Sequence, residues 1–117
     1  MMDELAAANR ALPVQVLEAN YKTDILTLRA EEGILISIRC PFDIAFDGVL
    51  ESFPGGDVRA PLRLQGLDLQ SLTTRHATAY PDLLIRFDKN TEIHVRPPHS
   101  GEEMWLIDVP GIAFISP

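Results

Sequence analysis

Apolar and polar residues alternate along most of this chain with a period of two, the pattern of half-buried β-strands. Leu26, Leu28 and Ala30 alternate with Thr27 and Arg29, and Ile34, Ile36, Ile38 and Cys40 alternate with Leu35, Ser37 and Arg39. Between them, Glu31-Glu32-Gly33 makes a turn in which Gly33 is free to take positive φ. The same run recurs later. Leu83, Ile85 and Phe87 alternate with Leu84 and Arg86, Asp88-Lys89-Asn90 turns the chain, and Ile93 and Val95 alternate with Glu92, His94 and Arg96. Val14–Asn20 and Ser71–Ala79 read as a preceding strand in each half, and Met104–Ile107 and Ile112–Ile115 as closing strands. Phe42–Phe53 carries Asp47-Gly48 at its centre, a strong hairpin signal that predicts Phe46 opposite Val49 and Phe42 opposite Phe53. Helical spacing is confined to two places. Asp3–Leu12 predicts a short helix with Asp3 as N-cap and Leu5, Ala8 and Leu12 on one face, stopped by Pro13. Pro61–Leu67 predicts one helical turn with Leu62, Leu64 and Leu67 inward.

The two halves repeat. A shift of 57 residues lays Leu26–Pro41 on Leu83–Pro98, with Leu26/Leu83, Arg29/Arg86, Ile36/Ile93, Arg39/Arg96 and Pro41/Pro98 identical. With a polar insert at His99–Glu102 allowed for, Asp47 corresponds to Asp108. Each half then reads as a three-strand meander plus a hairpin, and a repeated unit of this kind packs against its twin. The expected fold is mainly β (β-rich α+β). Two duplicated antiparallel meander/hairpin units pack as a sandwich or partly closed barrel, with a short N-terminal helix. The expected organisation is one domain over 1–117, with repeats at 12–53 and 69–115 joined by 54–68. Its core is expected to hold Leu26, Leu28, Ile34, Ile36, Ile38, Phe46, Leu83, Ile85, Phe87, Ile93, Val95, Leu106 and Ile112.

Charge adds a second asymmetry. The net charge is −7. Its excess lies in the first half, where residues 39 to 59 hold no basic residue between Arg39 and Arg59 but include Asp43, Asp47, Glu51 and Asp57. Such a surface repels phosphate backbones and attracts a basic protein. It is equally the ordinary acidity of a soluble protein. No apolar run approaches the ~20 residues of a membrane span, and the acidic start Met1-Met2-Asp3-Glu4 lacks a secretory signal, so a cytoplasmic protein is expected. Cys40 is the sole cysteine and shares the inward face of its strand, which predicts an inert thiol.

Catalytic and metal-binding patterns are sparse. His94 shares an outer strand face with Glu92 and Arg96, and the cation argues against chelation; His99 lies in a Pro-Pro-His-Ser-Gly loop. Glu31-Glu32 and Glu102-Glu103 are adjacent pairs whose side chains point apart. No G-x-S-x-G, P-loop, H-E-x-x-H or G-x-G-x-x-G occurs. No cofactor, metal or catalytic residue is therefore expected. An enzyme would need a pocket joining His76 or His99 to a carboxylate. Arg29, Arg39, Arg86 and Arg96 occupy matched outward positions, suited to cross-strand ion pairs or to a partner. Trp105, the only tryptophan, reads as a core anchor.

Leu35-Ile36-Ser37-Ile38-Arg39-Cys40-Pro41-Phe42 resembles the strand-then-Pro-Phe segment of a family of short, uncharacterised bacterial β-rich proteins. Glu102-Glu103-Met104-Trp105-Leu106-Ile107 resembles that family's late Glu-x-Trp strand, although the chain stops at Phe114-Ile115-Ser116-Pro117 without the family's glycine-rich end. The resemblance transfers no catalytic residue. By general character it implies an immunity protein, one that binds and blocks a cognate toxin. The expectation is thus a non-enzymatic acidic binding module, possessing a partner-binding hairpin of Asp43, Asp47, Glu51, Phe53 and Asp57 for a basic toxin. The alternative is a stand-alone structural or regulatory β module that homodimerises through an edge strand or the arginine-bearing face, on which Leu35 and Leu84 are expected to be exposed at matched positions.

Overall fold

A computed structural model of the chain describes residues 2–53, 63–75, 82–95, 105–112 and 115. Helix α1 (Met2–Arg10) precedes nine strands: β1 (Val14–Lys22), β2 (Ile25–Ala30), β3 (Leu35–Ile38), β4 (Phe42–Phe46), β5 (Val49–Phe53), β6 (Asp68–Arg75), β7 (Asp82–Phe87), β8 (Thr91–Val95) and β9 (Trp105–Asp108). The helix begins at Met2, so Asp3 lies inside it and is not its cap. The fold is mainly β, and every strand pairing is antiparallel, in the order β5-β4-β8-β7-β6-β1-β2-β3-β9. The order has two ends, so the sheet is not closed into a barrel. β1 joins its two halves. Val14 and Gln15 pair with β6, Val16 pairs with Ala30 of β2, and after a bulge at Leu17 the strand runs on with β2 from Glu18 to Lys22. Such a bulge bends a strand and raises its twist. The halves share one core cluster, and Tyr21 of β1 meets Phe42 of β4 edge-on, with ring centroids 5.8 Å apart. Among the described residues no helix is long and apolar enough to cross a membrane.

The repeat is visible in the backbone, and it reaches further than the identical residues. β2 and β7 stand 57 residues apart and share one burial pattern along their length. The preceding strands also match, at a shorter spacing. Val14–Ala19 and Leu67–Leu72 have the same order of buried and exposed positions, and β6 carries its own bulge at Gln70 where β1 has Leu17. A single shift hides this match, because the β1–β2 turn is only Thr23-Asp24 while 76–81 separate β6 from β7.

The strand that follows each meander goes to the other half. β4 follows β3 but pairs with β8, and β9 follows β8 but pairs with β3. Each half thus lends a strand to the sheet of its twin. Pro41 cannot donate to a ladder and Cys40 is drawn into the core, so the chain leaves the plane of β3 and crosses over. The exchanged strands are held in matching registers. Phe42 and Ile44 lie opposite Val95 and Ile93, just as Trp105 and Ile107 lie opposite Ile38 and Ile36. Phe42 is therefore the counterpart of Trp105, and Gly48 (φ 85°) that of Gly111 (φ 82°). Asp108 matches Ala45 and not Asp47, which corrects the expected match. Leu106 is half-buried because Trp105 and Ile107 take the inward positions of β9; Phe46 and Ile112 are half-buried too. The other ten expected core residues are buried.

The caps are exchanged as well. β1 pairs with β6 at Leu69 and Asp68, and further along β6 Asn9 of α1 bonds the backbone of Leu72. The Asn9 Nδ2 donates to the Leu72 carbonyl (2.8 Å) and its Oδ1 accepts from the Leu72 N–H (2.9 Å). At the matching position of β1, the Ala19 N–H donates to Oε1 of Gln65 (3.2 Å), which follows the helical residues Arg63 and Leu64 ahead of β6. Leu64 and Leu67 are buried as expected, and Leu62 lies outside the described residues. The turns agree in the same way. The Glu31 carboxylate accepts from the Gln15 N–H (2.6 Å), and that of Asp88 accepts from the Asp68 N–H (2.9 Å).

Gly33 has two reasons to be glycine. Its φ is 74°, and a Cβ there would stand 2.9 Å from Cγ of Pro110. We expect Gly33→Ala to cost roughly 2–3 kcal/mol, from left-handed strain plus displacement of the Pro110 ring. A urea denaturation midpoint unchanged from wild type would refute this.

Candidate functional site

The two halves match closely enough that their differences stand out, and the main one is the hairpin β4–β5. Its turn is the expected one. Asp47 (φ 51°) and Gly48 (φ 85°) connect strands in which Phe46 faces Val49 and Phe42 faces Phe53. Residues opposite each other across a ladder share a face. Glu51 is paired with the fully buried Ile44, so its side chain lies on the core-facing side of β5. In the other half the residue bridged to the counterpart of Ile44, Ile107, is the buried Ile115. A carboxylate thus stands where the twin carries a core isoleucine.

Arg63 answers that carboxylate. Its Nη1 lies 3.3 Å and 3.5 Å from the two Glu51 oxygens, and its guanidinium carbon sits 3.5 Å from the centroid of the Phe46 ring. The ion pair is about half exposed, so it contributes little to stability. Val49 and Leu50 remain 63% and 56% exposed on opposite faces of the strand. Sequence alternation did not reveal them, since a strand covered on one face would bury one of the two. Arg63 was likewise missed, because nothing in the pattern links it to the hairpin.

Asp43, Asp47 and Glu51, the described acidic residues of the expected set, do not form one surface. Asp43 lies on the outer face directly opposite His94 of β8. Nε2 of that histidine is 3.0 Å from Oε2 of Glu92, whose Oε1 is 3.4 Å from Nε of Arg86, and this line of polar groups crosses three strands. Asp47 is at the hairpin tip, where its N–H donates to the Asn90 carbonyl (2.9 Å) and its Oδ1 accepts from Nδ2 of Asn90 (3.3 Å). Glu51 faces the other way. Alternation along the strands separates residues that a linear reading joins. The Phe53 side chain and the whole of Asp57 lie outside the described residues, as do His76, Arg96, His99, Glu102 and Glu103.

Elsewhere the outer face is occupied by ion pairs. Arg29 pairs with Glu18 at 3.2 Å, and Asn20 together with Arg29 holds the Glu18 carboxyl below its usual range. Leu35 and Leu84, expected to be exposed, are half-buried. Two clefts occupy matching corners, one beside Glu31, Glu32 and Pro110 and one beside Asp88, Lys89 and Glu92. Neither lining includes a His, Cys or Ser among the described residues, and no three described metal-ligating side chains converge.

Cys40 is buried, and burial pushes its thiol up to about 11. An unfolded thiol titrates near ~8.5. Any stability the neutral buried thiol contributes is therefore complete below that pH and lost as pH rises towards 11. Iodoacetamide at pH 8 is expected to label Cys40 only on unfolding; labelling of the native protein at the rate of a free thiol would contradict its burial.

Compared with protein-family models, with curated proteins and with solved structures, the chain matches none, so the site stands on its own geometry.

Proposed function

We propose that the protein is a non-enzymatic binding module that takes a basic protein partner at the β4–β5 hairpin, in the manner of an immunity-type inhibitor of a cognate toxin. The observation that carries this reading is the break in the repeat. Where one half closes over Ile115, the other presents Glu51 together with exposed Val49 and Leu50. The hairpin 42–53 holds Asp43, Asp47 and Glu51 and no basic residue. Its charges would speed encounter with a basic surface, and its two apolar side chains would provide area that loses water on docking.

The test is capture at low salt on immobilised wild type, on Asp47→Asn/Glu51→Gln and on Leu50→Lys. Asparagine suits the same turn, and glutamine keeps the shape of Glu51. We expect a basic protein to be retained by wild type and reduced at least tenfold on both variants. Equal retention on all three would contradict the reading.

A further inference from the structure

We propose that the edge of β5 that no described residue pairs accepts an extended basic polypeptide segment as a tenth strand. This rests on the hairpin being the binding end and adds how it binds and what class of segment it takes. In a two-residue hairpin the pair flanking the turn, here Phe46 and Val49, exchanges its backbone hydrogen bonds. Bonded and non-bonded pairs then alternate along the ladder. Glu51 and Phe53 are turned towards β4, while Leu50 and Ser52 direct their N–H and C=O groups outwards. Among the described residues β5 pairs with β4 alone and ends the sheet order. Its outward row is a template for main-chain pairing.

The side chains beside that row set the chemistry of the incoming strand. Exposed Leu50 lies on the outer face and Glu51 on the inner. A strand with an apolar residue across from Leu50 and a basic one across from Glu51 matches both, and its alternation follows from the pleat. Arg63 does not bar a second cation, since its pair with Glu51 is about half exposed and open to sharing. Charge also decides against a second copy. In two such edges paired antiparallel through Leu50 and Ser52, the Glu51 carboxylates of the two copies would stand directly opposite each other, a destabilising like-charge pair. An acid next to an exposed edge is a recognised guard against self-pairing. Here the same acid selects the partner that can pair.

Fluorescence anisotropy of a labelled alternating Val–Lys peptide tests this, with its Val–Glu counterpart and a fully N-methylated Val–Lys peptide as controls. The Val–Lys peptide should bind wild type at least tenfold more tightly than either control. Ser52→Pro should weaken it at least tenfold, because this change removes an outward N–H and no bond to β4. Undetectable binding of the Val–Lys peptide, equal binding of the N-methylated peptide, or no effect of Ser52→Pro would each overturn the proposal. If Asp47→Asn/Glu51→Gln weakens binding while N-methylation does not, the hairpin still recruits basic partners, but through side chains alone. If neither matters, both readings fall. A dimer of the free protein that Ser52→Pro dissolves would place a second copy on the edge and overturn the basic-segment assignment.

Discussion

Trp105→Ala is expected to destabilise the protein by about 3–5 kcal/mol, the range for emptying a large aromatic site in a packed core. Trp105 is fully buried and opens β9, the strand that one half lends to the other. Its loss therefore weakens the joint between the halves as well as the local packing. Phe42 occupies the counterpart place on β4, opposite Val95. Phe42→Ala should cost a similar amount, and the two losses report on opposite ends of one exchange. Urea denaturation followed by far-ultraviolet circular dichroism measures both without relying on tryptophan fluorescence. A loss below about 1 kcal/mol at either site would mean that the exchanged strands are not packed as described.

Asn9→Ala is expected to cost about 2–4 kcal/mol. A single side chain there satisfies both the N–H and the C=O of Leu72, whose own side chain is in the core. Alanine would strand two partly buried backbone groups, at about 1–3 kcal/mol each before water reaches them. Gln65→Ala removes one acceptor, from the Ala19 N–H, so about 1 kcal/mol is expected. The ratio distinguishes a backbone-capping role from loss of helix packing. Asn9→Asp keeps the acceptor but loses the donor to the Leu72 carbonyl, and should fall between wild type and alanine. Equal stabilities for wild type and Asn9→Ala would refute the capping role.

Much of this architecture was legible in the residues, but unevenly. β2, β3, β7 and β8 were readable because both meanders use three-residue turns at the same place, Glu31-Glu32-Gly33 and Asp88-Lys89-Asn90, so one shift aligns them. The match between β1 and β6 was hidden by connections of different length. The exchange of β4 and β9 left no trace, since alternation tells which side of a strand is buried and not which strand lies next to it. The hairpin was legible down to its register because Asp47-Gly48 fixes the turn. Its surface was not. Asp43, Asp47 and Glu51 are neighbours in sequence, yet they fall on the outer face, the tip and the inner face. The exposure of both Val49 and Leu50 follows from the position of β5 at the end of the sheet, which only the strand order shows.

The most direct test of the hairpin as a recognition surface is the association rate of the captured partner, by stopped flow at low and high salt. Wild type and Asp47→Asn/Glu51→Gln are compared. Steering between exposed charges extends about 10 Å at 0.1 M salt and shrinks as salt rises. The variant is expected to associate severalfold more slowly at low salt and with a flatter salt dependence. Equal rates and equal salt slopes for the two proteins would contradict it.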